Sequence, residues 1–414
     1  MSLSGQGNGL PATGDTLGGL RMQVLVLGGT GWIGRPTAER LAATPDVSQI
    51  TIASRSGAEA QKVASTIGSK AVSAEIDVHD HDHLVSLAST HGLVVNAAGP
   101  DYKVAYPVAR AAVAAGAHCV DISADPVAVE RILALDSGAR ASEVAVITGI
   151  GHAPGISNLM MLHAARQLDA VEEVHFDVNL RVADFLHEDP ARMAAEFRRA
   201  GRVSASWETL MKWVAGPVRT LRDGRLVEVD PSDEVVEARP PIGGPLTLYP
   251  LATTEPITMP RHLPGVMSLS FRMSWFPPQI NEMYLELGRR IRDDGMDPAE
   301  ATIALIERIA ADPARWLTPP PGGNAEFLNW ATAIGWKDGR RVACTCWPVG
   351  NWMSTVAALT VAAREVTRRE FRRMGVFPPE AAFEPEPFLA EVAAQAEGLP
   401  PRAKPLALSM NDLE

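Results

Sequence analysis

Between Met22 and Ile150, short and nearly unbroken apolar runs alternate with Ala-rich stretches of helical period. The runs are MQVLVLG, QITIAS, AVSAEID, GLVVNAA, HCVDIS and VAVITG. Continuous rather than alternating apolar character suits strands covered on both faces. Helical segments of about ten to fifteen residues separate most of them, which is the βαβ rhythm of a Rossmann-type, doubly wound parallel sheet. The pattern changes after GIGHAPGISN, residues 149–158. A helical NLMMLHAARQL leads into β-like EEVHFDVNLRV, VRTLRDGRLVEV, GPLTLYPLA, VMSLSFRMSW and RRVACTCWP, interspersed with helical DPARMAAEFRRAG, SASWETLMKWVAG and DPAEATIALIERIAAD and a Pro/Gly break, LTPPPGGN. An Asp-Gly pair inside VRTLRDGRLVEV marks a hairpin turn. The pattern predicts an inserted α+β domain with a mixed, mainly antiparallel sheet. GNWMSTVAALTVAAREVTRREFRRMG reads as one long helix, apolar and then Arg-rich, that returns to the first domain. The expected division is a flexible segment 1–21, a nucleotide domain of 22–150 plus about 350–395, a substrate and dimerisation domain 151–349, and a loose tail 396–414.

Composition narrows the class of partner. The 414 residues carry a formal net charge of −11 with a pI near 5.5, which argues against nucleic acid or an anionic membrane and for a small-molecule substrate. Cys119, Cys344 and Cys346 are too few and too badly spaced for a disulfide framework or a four-ligand zinc site, as expected of a cytoplasmic protein. The first 21 residues lack the apolar stretch of a signal peptide, and Met22 is a second candidate start. No run of 18 apolar residues occurs. His79 to His83, HDHDH, alternate like ligands on a strand face, but they join a strand end to a helix, so a solvated turn is expected and no metal.

Candidate chemistry begins at VLVLGGTGWIGRPTAERLA, residues 24–42, a glycine loop between a strand and a helix. Gly29, Gly31 and Gly34 spell G-x-G-x-x-G, and Gly28, Gly31 and Gly34 spell G-x-x-G-x-x-G. In the first reading Gly29 makes the tight turn, Gly31 admits a pyrophosphate and Gly34 lets helix and strand pack closely. The second strand ends in Ser54, Arg55 and Ser56, where NAD-specific folds place a carboxylate; a cation flanked by hydroxyls suits a 2′-phosphate and favours NADP. Asp77 closes the third strand, placed to accept from adenine or to cap the next helix. Short-chain reductases need Tyr with Lys four residues later, but the residues four beyond Tyr102, Tyr106, Tyr249 and Tyr284 are Tyr106, Arg110, Thr253 and Gly288.

The glycine loop, ITIASRS, VVNAAGPDYKVAYPVARAAVAAGAHCVDIS, GIGHAPGISNLM and the closing RMGVFPPEAAFEPEPFLAEV together resemble the saccharopine dehydrogenase family in its broad sense, which includes saccharopine reductases and carboxynorspermidine dehydrogenases. The resemblance covers about the first 160 residues and the last 60, and it implies an NADP-binding Rossmann domain, an inserted substrate domain and often a homodimer. It also implies that Gly29, Thr30, Gly31, Trp32 and Ile33 contact the diphosphate, and that Ser54, Arg55 and Ser56 hold the 2′-phosphate. Asp77 and Val78 would take the adenine, while Asn96, Ala97, Ala98, Gly99 and Pro100 run beneath the nicotinamide ribose and Asp121 to Ser123 border the ring. One departure stands out: many relatives carry an acidic residue before the Pro-Gly of the junction, whereas here Ala153 does, after His152. The resembled enzymes reduce an imine to a secondary amine, and an enoyl reductase or a non-catalytic NADPH-binding protein are the alternatives. His152 is the candidate general acid or base, titrating near neutrality, with Asp121 second. Substrate candidates are Tyr102, Asn158, Arg181 and Arg272, the arginines as carboxylate forks with His187 and Arg261 nearby. Eight of the nine tryptophans, from Trp207 to Trp352, lie from the substrate domain to the returning helix, and an aromatic-rich cleft suits a bulky or apolar substrate.

Overall fold

A computed structural model describes residues 21–186, 188–317, 328–349, 354–395 and 405–413. Of the segment 1–21 expected to be flexible, residues 1–20 lie outside them, as do His187, Trp352 and most of the Pro/Gly break.

The N-terminal half follows the apolar runs. In chain order it comprises β1 (Met22–Leu27), α1 (Gly34–Ala42), β2 (Val47–Ser54), α2 (Gly57–Ile67), β3 (Ala71–Glu75), α3 (His81–Ala88), β4 (Leu93–Asn96), α4 (Asp101–Ala115), β5 (His118–Asp121), α5 (Pro126–Leu133), α6 (Asp136–Ala141) and β6 (Ala145–Ile147). A seventh strand, β15 (Gly375–Phe377), joins from far along the chain, and the parallel sheet runs β15-β6-β5-β4-β1-β2-β3. Chain order reverses between β1 and β4, so the carboxyl ends of these two strands open the crevice where ligands of such sheets bind.

The inserted half comprises α7 (Ile156–Ala165), β7 (Ala170–Arg181), α8 (Pro190–Ala200), α9 (Ala205–Ala215), β8 (Val218–Arg222), β9 (Arg225–Val229), β10 (Val236–Ala238), β11 (Leu246–Pro250), α10 (Glu255–Thr258), β12 (Ser268–Phe276), α11 (Ile280–Asp293), α12 (Pro298–Ala311), α13 (Pro313–Leu317), β13 (Leu328–Lys337) and β14 (Arg340–Pro348). Its sheet runs β10-β11-β12-β7-β13-β14-β16, antiparallel except for the β12–β7 pair, with the β8–β9 hairpin on the edge of β12. Asp223, with φ +49, and Gly224, with φ +70, form the expected hairpin turn. The helix α7 is buried along its whole length between the two halves, packed on β7, β13 and β14, so its apolar character all round is that of a central helix. One apolar core runs from β1, β2 and β4 through α7 to β7, β12 and β13.

The returning chain differs from the expectation. Helix α14 spans Thr355–Thr367 only; Arg369 takes φ +58, and the Arg-rich stretch leaves the helix on its way into β15. Helices α15 (Pro379–Ala382) and α16 (Pro385–Ala394) follow. The loose tail expected from residue 396 is corrected over 406–412: these residues form β16 (Leu406–Asp412), which pairs with β14 from Pro348 to Val342. The alternation Leu406, Leu408, Met410 carries a strand signal that a short segment between polar ends hides. Among the described residues no helix is long and apolar enough to cross a membrane.

Candidate active site

The glycine loop caps β1 and leads into α1. Gly28 takes φ +70, and a Cβ there would stand 2.6 Å from the Ala97 carbonyl oxygen; a Cβ on Gly34 would stand 2.2 Å from the Gly28 oxygen. The tight turn expected at Gly29 therefore belongs to Gly28, and Gly28-x-x-Gly31-x-x-Gly34 is the spacing the backbone uses. Gly28 is the positive-φ residue of the loop that the first glycine pattern leaves out, although the second contains it. Gly29 instead packs on Ile52 of β2. Gly31 and Trp32 are exposed, the indole 77 % so, while Thr30 and Ile33 are half-buried.

A test of cofactor fit lies in the helix ends. Helices α2, α3 and α5 are capped by the side chains of Ser56, Asp80 and Asp125. Helix α1 has no side-chain cap and no acidic residue in its first turn, so no side chain competes with an anion there, although Arg35 N–H is taken by the Gly31 oxygen at 3.0 Å. At the end of β2, Ser54 Oγ accepts from Ser56 N–H and donates to its carbonyl, at 3.0 Å each. Arg55 is exposed and makes no ion pair among the described residues. Glu75 is held by Gly57 N–H at 3.1 Å. Asp77 is exposed and accepts from His79 N–H at 3.0 Å, while Asp80 caps α3; Val78 is half-buried beside it. HDHDH is thus the solvated start of a helix.

At the next strand ends, side chains take over. Asn96 Nδ2 donates to Asp121 Oδ2 at 2.9 Å, and Oδ1 of Asp121 accepts from Ser123 N–H at 2.9 Å and from the Thr148 hydroxyl at 2.8 Å. Asp121 is fully buried, and burial raises its pKa. It ties the carboxyl ends of β4, β5 and β6 together, so its place as a catalytic candidate is corrected to that of a brace holding Asn96 and Ser123. Asn96 Oδ1 in turn accepts from Ala98 N–H at 3.2 Å and fixes the NAAGP turn. Gly99 lies against α9: a Cβ there would meet Ala205 Cβ at 2.4 Å, so the inserted half closes on the loop after β4.

That closure is polar. The Tyr102 hydroxyl donates to Glu208, and Lys103 Nζ reaches the same carboxylate at 3.0 Å. Burial and the Glu208 bond push the Tyr102 pKa up to about 12, and Lys103 also stands at about 12, raised by its bonds to Tyr102 and Glu208 against its desolvation. Thr209 donates to Asp101 at 2.8 Å, and Asp101 receives Ala124 and Asp125 N–H. Beside this seam lies a cavity of about 80 Å³ between the halves, lined by Asp101, Asp125, Thr209, Lys212, Trp213 and Arg219. Sequence reasoning missed Glu208, Asp125 and Lys212, because only the fold brings α4, α5 and α9 together.

The junction loop departs from its expected chemistry. His152 N–H donates to Thr355 Oγ1 at 3.2 Å, and the ring stands edge-on to Phe176, centroids 6.1 Å apart. Burial pushes the His152 pKa down to about 4. The imidazole is neutral near pH 7, which corrects the expectation of a group titrating there. From His152, rings continue through Phe176 and Phe271 to Trp213.

The remaining substrate candidates are occupied. Arg272 forms a bidentate pair with Asp177, at 2.6 and 2.8 Å, with Asp177 almost fully buried. It alternates with Phe271 and Met273, which belong to the core, so it lies on the opposite face of the sheet from the His152–Phe176 contact. Arg181 is paired with Asp184 at 2.6 Å. Asn158 is fully buried: Oδ1 accepts from Gly155 N–H at 2.9 Å and Nδ2 donates to Glu380 at 2.8 Å. Asn158 is thus an internal tie rather than a substrate contact, whereas the paired Arg181 lies at the surface and the paired Arg272 lines a cavity of about 250 Å³.

Comparison with known proteins matches the crevice. The sequence model for the saccharopine dehydrogenase NADP binding domain covers residues 24–147, from β1 to β6. Residues 24–147 carry the family's nucleotide domain, and the chain as a whole is similar to saccharopine dehydrogenase-like proteins. Its nucleotide is NADP, and the uncapped α1 and the free Arg55 fit it. A carboxyaminopropylagmatine dehydrogenase of Synechocystis sp. is 23 % identical over 409 residues, 92 % of this chain and 97 % of the relative. A Mycobacterium tuberculosis protein provisionally named a trans-acting enoyl reductase is 28 % identical over 172 residues, 39 % of this chain and 40 % of its own. The apo saccharopine dehydrogenase (L-Glu forming) of Saccharomyces cerevisiae superposes with a TM-score of 0.64 at 18 % identity, over 95 % of this chain and all of that one, which shows a shared fold. The saccharopine dehydrogenase-like family is one of NADP-binding oxidoreductases.

Proposed function

We propose that this protein transfers a hydride between NADPH and the C–N bond of a small metabolite, reducing an imine to a secondary amine or running the reverse. The observation that carries this reading is the protonation state of the junction: His152 is neutral and buried, and Asp121 is consumed by three donors. The imidazole carries no acidic proton to give at neutral pH, the Asp121 oxygens are taken up as acceptors, and an iminium carbon, already bearing its charge on nitrogen, accepts hydride without a dedicated acid. When bound, NADPH supplies the hydride from its nicotinamide. The chain's own part is positioning and exclusion of water: Asp121 and Asn96 set the loop beneath the ring, and α9 closes over it through Glu208. The cavity beside the seam is lined by Asp101 and Asp125 and by Lys212, with Arg219 already paired to Glu130 at 2.6 Å, so charges of both signs border it, which suits an amino-acid end. The full-length likeness to a relative named for an amine substrate supports the same class. Mixtures of amines and carbonyl compounds, scored by NADPH consumption, test it. Turnover that needs both partners is expected; turnover with an enoyl substrate and no amine would replace this reading with C=C reduction.

A further inference from the structure

Two carboxylates lie buried where α7 begins, and neither belongs to the cofactor loops. Glu255 stands at the start of α10 with no exposure, and Glu380 stands on α15, 6 % exposed. The Ser157 hydroxyl donates to Glu255 Oε1 at 2.6 Å, and Asn158 Nδ2 donates to Glu380 Oε2 at 2.8 Å. The second oxygen of each, Glu255 Oε2 and Glu380 Oε1, is sealed from solvent without a hydrogen-bond partner among the described residues. Two orphaned carboxylate oxygens in one dry interior cannot both carry charge at an acceptable cost. The groups bonded to them are uncharged, Ser157 and Asn158 on α7 and the Thr253 and Thr258 hydroxyls; β15 has no ionisable residue, and on the other elements packed against α10 and α15 His163 pairs with Glu386, Arg219 with Glu130, Arg222 with Glu234 and Arg272 with Asp177. In the 3-10 turn Met259–His262 that packs on α15, Arg261 and His262 are the ionisable residues. Arg373 is engaged with the Ala382 carbonyl at 2.5 Å.

We infer that Glu255 and Glu380 retain a proton between them at neutral pH and act as positioning residues that clamp the start of α7, and through it the 151–155 junction loop. The loop depends on that helix start. Gly155 N–H is held by Asn158 Oδ1, Ile156 N–H by the Gly151 oxygen at 3.0 Å, and Ser157 N–H by the His152 oxygen at 3.0 Å. A Cβ on Gly155, where φ is +118, would stand 2.3 Å from the Gly151 oxygen, so the turn has no room to relax inward. Each carboxylate comes from a different part of the chain, α10 in the inserted half and α15 in the returning segment, so the pair fastens α7 from both sides. In support, burial raises both groups, and Glu380 to about 7.

Losing the proton would place a second charge in this interior and favour opening. With Glu380 raised in the folded state, the stability it contributes is complete below its ordinary value near 4.5 and lost as pH rises through about 7. Hydrogen exchange of peptides spanning 150–160 in the full-length protein, corrected for intrinsic rates, reads this directly. The wild type is expected to open about tenfold more at pH 8 than at pH 6. Glu380→Gln, which mimics the protonated side chain, is expected to remain protected at both pH values, and Glu380→Ala to be fast at both. Glu255→Gln leaves Glu380 to titrate, and because burial raises Glu380 more than the charge of Glu255 does, this variant is expected to keep most of the pH dependence. Equal wild-type protection at pH 6 and 8, or a tenfold change that persists in Glu380→Gln, would overturn the inference.

Discussion

The loop between β1 and α1 and the junction between β6 and α7 sit on the same sheet edge and are built in opposite ways. The first is built of open backbone, with glycines at fixed spacing and an uncapped helix, beside an exposed Arg55. The second is an interior of side chains tied to one another over long stretches, Asn158 to Glu380, Asp121 to Asn96, Arg272 to Asp177. A backbone site keeps its donors open for a ligand that brings the charge. A side-chain interior spends its polar groups on itself, and what it offers a substrate is shape, closure and fixed protonation.

The difference can be broken from either end. The largest effect is expected in the interior: Asp177→Ala strands the Arg272 guanidinium, 12 % exposed, and should cost about 3–5 kcal/mol of stability, measured by denaturant unfolding, with NADPH affinity per folded molecule unchanged. Next, Gly34→Ala places a methyl 2.2 Å from the Gly28 oxygen; backbone on both sides must shift, so about 1–3 kcal/mol of stability and at least about tenfold in NADPH affinity should go together, read by melting and fluorescence titration. Arg55→Ala should weaken NADPH by about 1.5–3 kcal/mol, the worth of a charged hydrogen bond, and leave NADH unchanged, with no effect on melting. The smallest is a matter of pH. The lowered pKa of His152 means its stabilising contribution is present above its ordinary value of 6.5 and lost as pH falls towards about 4. His152→Gln should therefore melt with a shallower loss between pH 6.5 and 4 than the wild type.

Much of the first region was legible before any coordinates. Strand runs, the glycine spacing and the Ser54-Arg55-Ser56 end are local patterns, read within a few residues of one another. Even there, which of two adjacent glycines turns the chain depended on the approach of Ala97, 69 positions away in the chain from Gly28. The second region was legible only as a change of character after residue 149. Arg272 and Arg181 look like carboxylate forks in sequence because Asp177 and Asp184 cannot be assigned to them without strand register. His152 looked titratable because nothing in HAPG reveals the burial that lowers it. Strands β13 and β16 were overlooked since a break of uncertain character and a short polar-ended segment carry weak period-two signals, and pairing with β7 and β14 decides them.

Transfer of label from NADPH deuterated at nicotinamide C4 tests the central claim most directly. With an amine and a carbonyl compound that together support turnover, mass spectrometry should find one deuterium on the carbon newly bonded to nitrogen. Deuterium on a saturated carbon of an enoyl product, with no amine required, would contradict it.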